Sequence, residues 1–437
     1  MKKAALHNLG CKVNAYETEA MQQMLEAAGY EIVPFTEAAD VYVINTCSVT
    51  NMADRKSRQM LHRAKKMNPE AVVVAAGCYV QTKENEAADD DAIDIMIGNN
   101  KKHELVTRLD EFFRDHGLGH GKIDAVLDIN DNQQEFEELY LDQPSEHTRA
   151  FIKVQDGCNQ FCSYCIIPYA RGRVRSRKMD SVLEEVRRLA ENGYKEVVLT
   201  GIHLSSYGIE SGDSLLALIQ EIHKVEGIQR IRLGSLEPKV VTEEFASELS
   251  RLEKICPHFH LSLQSGCDAT LQRMNRKYTA EEYENGCRIL RKYFEHPAIT
   301  TDVIVGFPGE TEEEFASTKA FLEKIHFYEM HIFKYSKRQG TRAAVMKDQI
   351  PENKKTERSN QLIALGEEMS REFRSYYLGR EEEVLFEEEA CIDGETYYVG
   401  YTKEYVKAAK KSDVPLDNQL VRGILTKALN SEVYFME

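Results

Sequence analysis

Three cysteines in one short segment carry the strongest chemical signal in the chain. Cys158, Cys162 and Cys165 lie in QDGCNQFCSYCIIPYARG, which gives a C-x3-C-x2-C spacing without a fourth cysteine. Such a loop can place three thiolates at three corners of a cubic [4Fe–4S] cluster. The fourth iron then stays open, and an open iron can hold a substrate or cofactor instead of only relaying an electron. The spacing therefore predicts a catalytic cluster.

A structural zinc site is the alternative for these three cysteines. Zinc usually takes four ligands, commonly as two pairs with wider separations. No histidine follows closely enough in the sequence to complete a local set. The spacing therefore favours an iron–sulfur cluster.

Three further cysteines each follow a short apolar stretch near the beginning of the chain. Cys11 follows AALHNLG, Cys47 follows VYVINT and Cys78 follows AVVVAAG, and helix-like segments separate the stretches. This alternation predicts β–α units of a parallel sheet, whose strands end at one rim. A single cysteine after a strand is usually a small buried hydrophobic residue. Three in the same structural position predict a second cluster with three protein ligands.

The motifs around both cysteine trios resemble those of a known enzyme family. NLGCKVNAYETE, VINTCSVTNMADRKSR and AGCYVQ, followed by the C-x3-C-x2-C segment, are similar to the methylthiotransferases, which are radical S-adenosylmethionine enzymes with two [4Fe–4S] clusters. The resemblance runs over almost the whole chain. GCKVNAYET, IPYARGRVRSR and TGIHLSSYG look most like the branch that acts on N6-threonylcarbamoyladenosine beside the tRNA anticodon. The isopentenyladenosine tRNA enzyme and the enzyme for a ribosomal-protein aspartate are the alternatives within the family.

The resemblance implies a division of labour between the two clusters. The barrel cluster, on catalytic Cys158, Cys162 and Cys165, would cleave S-adenosylmethionine to a 5′-deoxyadenosyl radical that removes the C2 hydrogen of adenine. The N-terminal cluster would hold a sulfur species that is methylated and then transferred. An electron donor such as flavodoxin or ferredoxin is implied, and the sulfur donor stays open. Residues in matching motifs that would bind the cofactor are Tyr164, Gly201, Glu237, Gln264, Ser265, Asp302 and Ile304.

Charge is unevenly distributed along the chain. The net charge of −16 repels phosphate and, taken alone, favours a protein or small-molecule substrate. The segment beside the cluster loop is nevertheless basic. Its arginines are expected to bind tRNA phosphates, with internal ion pairs as the alternative for each; they are Arg171, Arg173, Arg175 and Arg177.

The sequence predicts an α/β protein, and shifts in composition divide the chain into three units. Residues 1–120 are predicted to form an N-terminal parallel α/β domain, and residues 121–148 an acidic linker. Residues 149–370 contain six strand–helix units, which suggest a partial (β/α)6 barrel of the TIM-like radical S-adenosylmethionine type. Residues 376–437 contain short strands typical of a small antiparallel β-barrel, and they resemble the nucleic-acid-binding TRAM domain.

The remaining features concern compartment and alternative functions. Ten cysteines without a secretory segment favour a reducing, cytoplasmic location, and no apolar run approaches the ~20 residues that span a bilayer. Cys256, Cys267, Cys287 and Cys391 are expected to be ordinary thiols, and His203 to have a core or supporting role. An RNA-binding iron–sulfur redox sensor is the non-enzymatic alternative, although it would not require the six-unit barrel.

Overall fold

Strands and helices alternate through the first 125 residues of the structure, a computed structural model that describes residues 1–115, 122–131, 134–141 and 148–437. The elements are β1 (Lys3–Asn8), α1 (Lys12–Ala27), β2 (Glu31–Ile32), β3 (Val41–Thr46), α2 (Asn51–Met67), β4 (Val72–Gly77), α3 (Cys78–Thr82), α4 (Glu84–Ala88), β5 (Ile95–Ile97), α5 (Leu105–Asp115) and β6 (Ile123–Ala125). All strand pairs are parallel, in the order β2-β1-β3-β4-β5-β6. Strands β3 and β4 are buried throughout, because helices cover both faces. The predicted parallel α/β unit is confirmed.

The stretch predicted as an acidic linker contributes to the fold. Strand β6 lies inside it and pairs with β5, so the first sheet extends beyond residue 120. Further on, Leu139 and Leu141 are buried against Tyr16 and Ala20 of α1. The linker prediction was therefore wrong for these residues, since apolar side chains in an otherwise acidic segment pack between the units. Residues 121, 132–133 and 142–147 of the predicted linker lie outside the described residues.

The second unit alternates strands with helices from residue 149 to residue 375. Its elements are β7 (Arg149–Asp156), α6 (Ile167–Ala170), β8 (Arg175–Ser176), α7 (Met179–Glu191), β9 (Glu196–Gly201), α8 (Leu215–His223), β10 (Arg230–Leu233), α9 (Glu243–Ser250), β11 (His258–His260), α10 (Asp268–Arg273), α11 (Ala280–Tyr293), β12 (Ala298–Val305), α12 (Glu312–Ile325), β13 (Glu329–Lys334) and α13 (Glu352–Ser375). Helices α11 and α12 each begin with a threonine capping box, which satisfies their first amide groups.

Six parallel strands form the open barrel that the sequence predicts. Strands β10-β9-β7 form one sheet and β11-β12-β13 another, with the short β8 antiparallel on the edge of β7. Isolated parallel bridges from Ile231 to Ile255 and from Leu236 to Leu261 join the two sheets. The carboxyl ends of all six strands therefore face one rim, where barrel enzymes place their chemistry.

The last unit is a closed five-stranded barrel. It contains β14 (Glu381–Ile392), β15 (Glu395–Tyr401), β16 (Lys407–Lys410), β17 (Leu420–Ala428) and β18 (Val433–Met436), in the order β14-β15-β16-β18-β17. Asp393 and Gly394 both have positive φ angles, as a two-residue hairpin turn between β14 and β15 requires. All pairs are antiparallel except β16–β18, which is parallel. The small β-barrel is confirmed, with this one difference in strand direction.

The terminal barrel contacts the open β/α barrel at the amino ends of its strands. Arg149, the first residue of β7, stacks over the rings of Tyr401 and Tyr405, which themselves stack with their ring centroids 4.4 Å apart. Arg232 donates to the backbone carbonyl oxygen of Lys403 at 2.9 Å. Two of the tyrosines at this junction are therefore occupied by internal packing. Across the described ranges, no helix has the length and apolarity needed to cross a membrane.

Candidate functional site

The loop after β7 gathers the three cysteines of the C-x3-C-x2-C segment. Gly157 has a φ of +71°, and a Cβ atom there would lie 1.8 Å from the carbonyl oxygen of Arg173, so only glycine fits before Cys158. The amide of Cys158 donates to the carbonyl oxygen of Gly172 at 3.0 Å. Farther along, the amide of Ser163 donates to the carbonyl oxygen of Met274 at 2.9 Å. These contacts hold the loop over the carboxyl rim of the barrel.

All three thiols of this loop line one cavity of about 140 Å³. Burial raises the pKa of Cys158 to about 11 and that of Cys165 to about 12. The free thiols of Cys158 and Cys165 would therefore be protonated near neutral pH, whereas iron ligation stabilises the thiolates. Arg276 Nη1 donates to Cys162 Sγ at 3.3 Å, and the backbone amide of Gln160 donates to Cys158 Sγ at 3.5 Å. Three converging sulfurs with donors around them fit a cluster with one open iron.

A polar group lines the same cavity beside the thiols. Glu237 Oε1 lies 3.0 Å from Arg276 Nη2, and Glu237 Oε2 lies 3.1 Å from His203 Nε2. Gln160 Nε2 also donates to Glu237 Oε2, at 3.2 Å. Burial alone would raise the pKa of Glu237, but His203 and Arg276 hold it below its ordinary value. The carboxylate is therefore charged near neutral pH, and it can accept hydrogen bonds from a polar cofactor.

Some of the residues predicted to bind the cofactor line the cavity, and others lie next to it. Tyr164, Glu237 and Gln264 line the cavity with the cysteines. Ile304 packs in a neighbouring apolar group with Tyr164. Gly201 ends β9, directly before Ile202 and His203 of the cavity wall.

Two of the predicted cofactor residues are occupied by other contacts. Ser265 is fully buried, and its hydroxyl lies 3.1 Å from the hydroxyl of Thr318, so its contact with the cofactor stays a prediction. Asp302 Oδ2 lies 3.3 Å from His260 Nε2.

Sequence reasoning missed three residues of the polar group around Glu237 in the cavity wall. Gln160 and Arg276 were not selected, and His203 was expected to have only a supporting role. Arg276 follows the short helix α10 rather than a strand, so no strand-end signal marks it. His203 lies two residues beyond β9, and its histidine side chain close to a strand end was the one signal available.

The N-terminal cysteines converge at the rim of the first sheet. Cys11 caps α1, Cys47 follows β3 and Cys78 begins α3, and their strands β1, β3 and β4 are neighbours. A Cβ atom on Gly10 would lie 2.9 Å from Cys47 Sγ, which shows how closely the first two segments approach. The Cys11 and Cys78 thiols both lie close enough to influence the ionisation of Cys47.

The environment of this second trio also fits a metal cluster. Burial raises the pKa of Cys47 to about 11, so the thiol needs a bound cation to become a thiolate near neutral pH. Asn99 Nδ2 donates to Cys78 Sγ at 3.5 Å. An amide donor of this kind stabilises a ligating thiolate. The structure therefore brings three thiols together at each of two sites.

Buried charges join the two sites. Arg171, which follows the cluster loop, contacts Glu17 of α1 at 2.8 Å and Asp156 of β7 at 3.1 Å. Its Nη2 also donates to Asn14 Oδ1 at 2.6 Å, three residues after Cys11. Lys153 and Lys102 contact Glu17 at 2.7 and 3.1 Å. This network, Glu17 with Lys102, Lys153, Asp156 and Arg171, locks α1 against the barrel.

Three of the four arginines predicted to bind phosphate are internal. Arg171 is fully buried, Arg177 is 1% exposed and pairs with Glu185, and Arg175 is 5% exposed and donates to the carbonyl oxygen of Arg171 at 2.9 Å. The prediction was wrong for these three, because their charges are used within the fold. Arg173 alone of the four is exposed, and it stacks over the ring of Phe161 in the cluster loop.

Comparisons with known families and structures agree with this architecture. A model described as the Radical SAM superfamily matches residues 152–322, and one described as Uncharacterized protein family UPF0004 matches residues 3–98. The solved structure of the radical S-adenosylmethionine methyltransferase TsrM from Kitasatospora setae, with cobalamin and a [4Fe–4S] cluster bound, has a TM-score of 0.56. It is 15% identical, and the alignment covers 79% of this chain and 74% of that one. This likeness concerns the fold.

Sequence relatives are closer. The threonylcarbamoyladenosine tRNA methylthiotransferase MtaB of Bacillus subtilis is 43% identical, over 98% of this chain and 94% of the relative. The enzyme of the same name from Aquifex aeolicus is 43% identical over 90% of this chain and 95% of its own. The tRNA-2-methylthio-N(6)-dimethylallyladenosine synthase of Acetivibrio thermocellus is 37% identical over 88% of this chain and 81% of its own length. The chain therefore belongs to the methylthiotransferase family of radical S-adenosylmethionine enzymes, in the branch of the MtaB tRNA enzymes.

Proposed function

We propose that this tRNA methylthiotransferase adds its methylthio group to C2 of N6-threonylcarbamoyladenosine, next to the anticodon. Each cysteine trio would hold one [4Fe–4S] cluster, and S-adenosylmethionine would bind in the cavity beside Cys158, Cys162 and Cys165. The observation that carries this proposal is the pair of three-thiol sites linked by one buried ionic network. The relatives that carry the threonylcarbamoyladenosine name at 43% identity support the choice of nucleoside.

The chain's own residues provide ligands and position the reactants. When bound, a cluster with S-adenosylmethionine supplies a radical that can remove hydrogen from an aromatic carbon, which side-chain acids and bases do not achieve near neutral pH. Arg276 donates to Cys162 and pairs with Glu237, so one residue links a cluster ligand to the polar wall of the cavity. Tyr164 and Ile304 belong to the apolar group with Phe307 that excludes water from one side. Gly201 and Gln264 remain proposed cofactor contacts.

The substrate is tested with tRNAs that differ only in the modified base. We expect the reconstituted protein, with S-adenosylmethionine and a reductant, to methylthiolate tRNA carrying threonylcarbamoyladenosine. The same tRNA with unmodified adenosine should react at least about 100-fold more slowly, because a site built for a polar group leaves its own polar atoms unpaired when that group is absent. Mass spectrometry of the digested nucleosides measures both rates. Methylthiolation of dimethylallyladenosine tRNA, with none on the threonylcarbamoyl substrate, would move the chain to the other branch.

Arg173 is the candidate for a phosphate contact beside the cluster loop. Because it is exposed and the neighbouring arginines are buried, Arg173→Ala should weaken tRNA binding and lower the slope of log affinity against log salt by about one. Filter binding across a salt series measures this slope. Arg251→Ala is the matched control, since Arg251 is 69% exposed at the end of α9 and pairs only locally with Glu248. An equal salt slope in both variants would leave Arg173 without a role in tRNA binding.

Two partners complete the proposal. The electron would come from a donor such as a flavodoxin or ferredoxin, and the reaction would take place in the cytoplasm with tRNA. The sulfur donor is not assigned.

A further inference from the structure

Three side chains with metal-ligating atoms meet inside the open β/α barrel. His260 of β11, Asp302 of β12 and His331 of β13, called here the His–Asp–His group, each bring one nitrogen or oxygen atom within 4.8 Å of those of the other two. The strands are neighbours in the order β11-β12-β13, and Asp302 pairs in register with His331. A carboxylate on the middle strand is thus flanked by an imidazole ring from each neighbouring strand.

The His–Asp–His group faces the interior of the barrel. The residues next to it in sequence, Phe259, Val303 and Ile332, pack in the apolar core between the strands and the helices. Because side chains alternate along a strand, the group points to the opposite side. On β11, Ser262 lies two residues beyond His260, about 7 Å along the strand, and lines the cavity of the cluster loop. The group therefore lies one layer of side chains below the candidate cofactor cavity.

Hydrogen bonds do not account for the polar atoms of this group. Across the described ranges, the Asp302 carboxylate and the His331 ring make no side-chain hydrogen bond. His260 Nε2 and Asp302 Oδ2 are 3.3 Å apart, which is longer than the roughly 2.7–2.9 Å of a charged N–H···O bond. Two ligands at about 2.0–2.1 Å from a tetrahedral ion are about 3.3 Å apart. The spacing therefore fits two ligands of one metal ion.

The ring of His260 already has the orientation that a metal ligand needs. Its Nδ1 atom lies 3.0 Å from Oγ1 of the buried Thr300, so Nε2 is the nitrogen that faces Asp302. Metal-binding histidines commonly use one ring nitrogen for the ion and the other for such an outer partner. The side chains of His260 and Asp302 are partly exposed and His331 is exposed, so an ion can reach them.

We propose that His260, Asp302 and His331 bind a divalent transition metal ion of the Zn²⁺ type. Two imidazoles and one carboxylate form a ligand set of catalytic zinc sites, in which a fourth position stays open for water or for an oxygen atom of another molecule. Asp302 would then be a metal ligand instead of the cofactor contact that the sequence predicts. The inference goes beyond the proposed function, because neither cysteine trio and no feature of the modified base enters it.

The test measures zinc binding to the full chain with both clusters in place. The reconstituted protein is dialysed against Zn²⁺ without oxygen, and zinc and iron are counted before and after. We expect about one zinc ion per chain and no loss of iron. X-ray absorption at the zinc edge should show nitrogen and oxygen at about 2.0–2.1 Å and no sulfur at about 2.3 Å. This spectrum separates the His–Asp–His group from zinc that has displaced iron at a cysteine site.

Variants assign the bound zinc to these residues. His331→Ala should weaken zinc binding at least about 100-fold, since loss of a ligand exceeds the roughly 10- to 100-fold effect of an outer partner. Thr300→Val should show that smaller effect, because it removes the hydroxyl beside His260. Asp302→Asn keeps the shape of the side chain, and it is the second ligand variant if His331→Ala loses iron. His62→Ala is the matched control, since His62 on α2 is 61% exposed and also lies beside an aspartate.

Three results would overturn the metal site. They are a wild-type chain that retains no zinc after dialysis, a zinc shell that contains sulfur, and equal zinc affinity in wild type, His331→Ala and Asp302→Asn with intact clusters. None of them bears on the modified base, so the proposed function would stand. Failure of the tRNA assay described above would overturn the proposed function and leave this metal site standing.

Discussion

Replacing Cys158, Cys162 and Cys165 by alanine should abolish the reductive cleavage of S-adenosylmethionine and leave about four of the expected roughly eight irons per chain. The reason is geometric, because these three thiols line one cavity and the N-terminal thiols converge at the rim of another sheet. Iron analysis of the anaerobically reconstituted protein and chromatography of 5′-deoxyadenosine measure the two effects. The loss of cleavage should be complete, since among the residues that the structure describes no cysteine outside this loop lines the cavity.

The complementary variant replaces Cys11, Cys47 and Cys78 by alanine. It should also keep about four irons and still form 5′-deoxyadenosine, yet transfer no methylthio group to tRNA. Cys391→Ala is the matched control, because Cys391 is an exposed cysteine in the terminal barrel and should affect neither cluster. If the N-terminal variant lost all cofactor cleavage while its barrel cluster stayed intact, the proposed division of labour would be wrong.

Cysteine positions could be predicted from the sequence because each signal is local. Cys11, Cys47 and Cys78 each follow a strand of a parallel sheet, and parallel strands end at one rim whatever the details of packing. The six strands of the open barrel were equally visible, since each is a short apolar run between helical segments.

The partners of charged residues could not be predicted in this way. Arg171 and Arg173 are two residues apart in one basic segment, yet one is fully buried and the other exposed. The difference arises from Glu17, which is 154 positions away along the chain from Arg171 and meets it only in the folded protein. A count of basic residues treats both arginines alike, so the phosphate-binding prediction failed for the buried one. Strand β6 was missed for a related reason, because three residues in an acidic segment gain their strand partner only from β5.

The buried network around Glu17 leads to a prediction about stability. Arg171→Met removes the cation that contacts both Glu17 and Asp156, and leaves two carboxylates buried with fewer partners. Removing one partner of a buried ion pair lowers the free energy of unfolding by about 3–5 kcal/mol. At ~2 °C for each kcal/mol in a chain of this size, the thermal midpoint should fall by roughly 6–10 °C. Arg251→Met is the control, because its ion pair with Glu248 is exposed and should change the midpoint by less than about 2 °C.

The pH dependence of the fall in thermal midpoint tests whether the buried carboxylates Glu17 and Asp156 cause it. Burial would raise the pKa values of Glu17 and Asp156, but Arg171 and the neighbouring lysines hold both below their ordinary values of about 4. Carboxylates with depressed pKa values stabilise the fold fully above their unfolded-state pKa, and this stabilisation is lost as the pH falls through their folded-state pKa. The gap in midpoint between wild type and Arg171→Met should therefore stay constant from pH 8 down to about 5 and narrow only below about 4. Calorimetry across this range measures it, and a gap that changed between pH 6 and 8 would assign the stabilisation to a histidine instead.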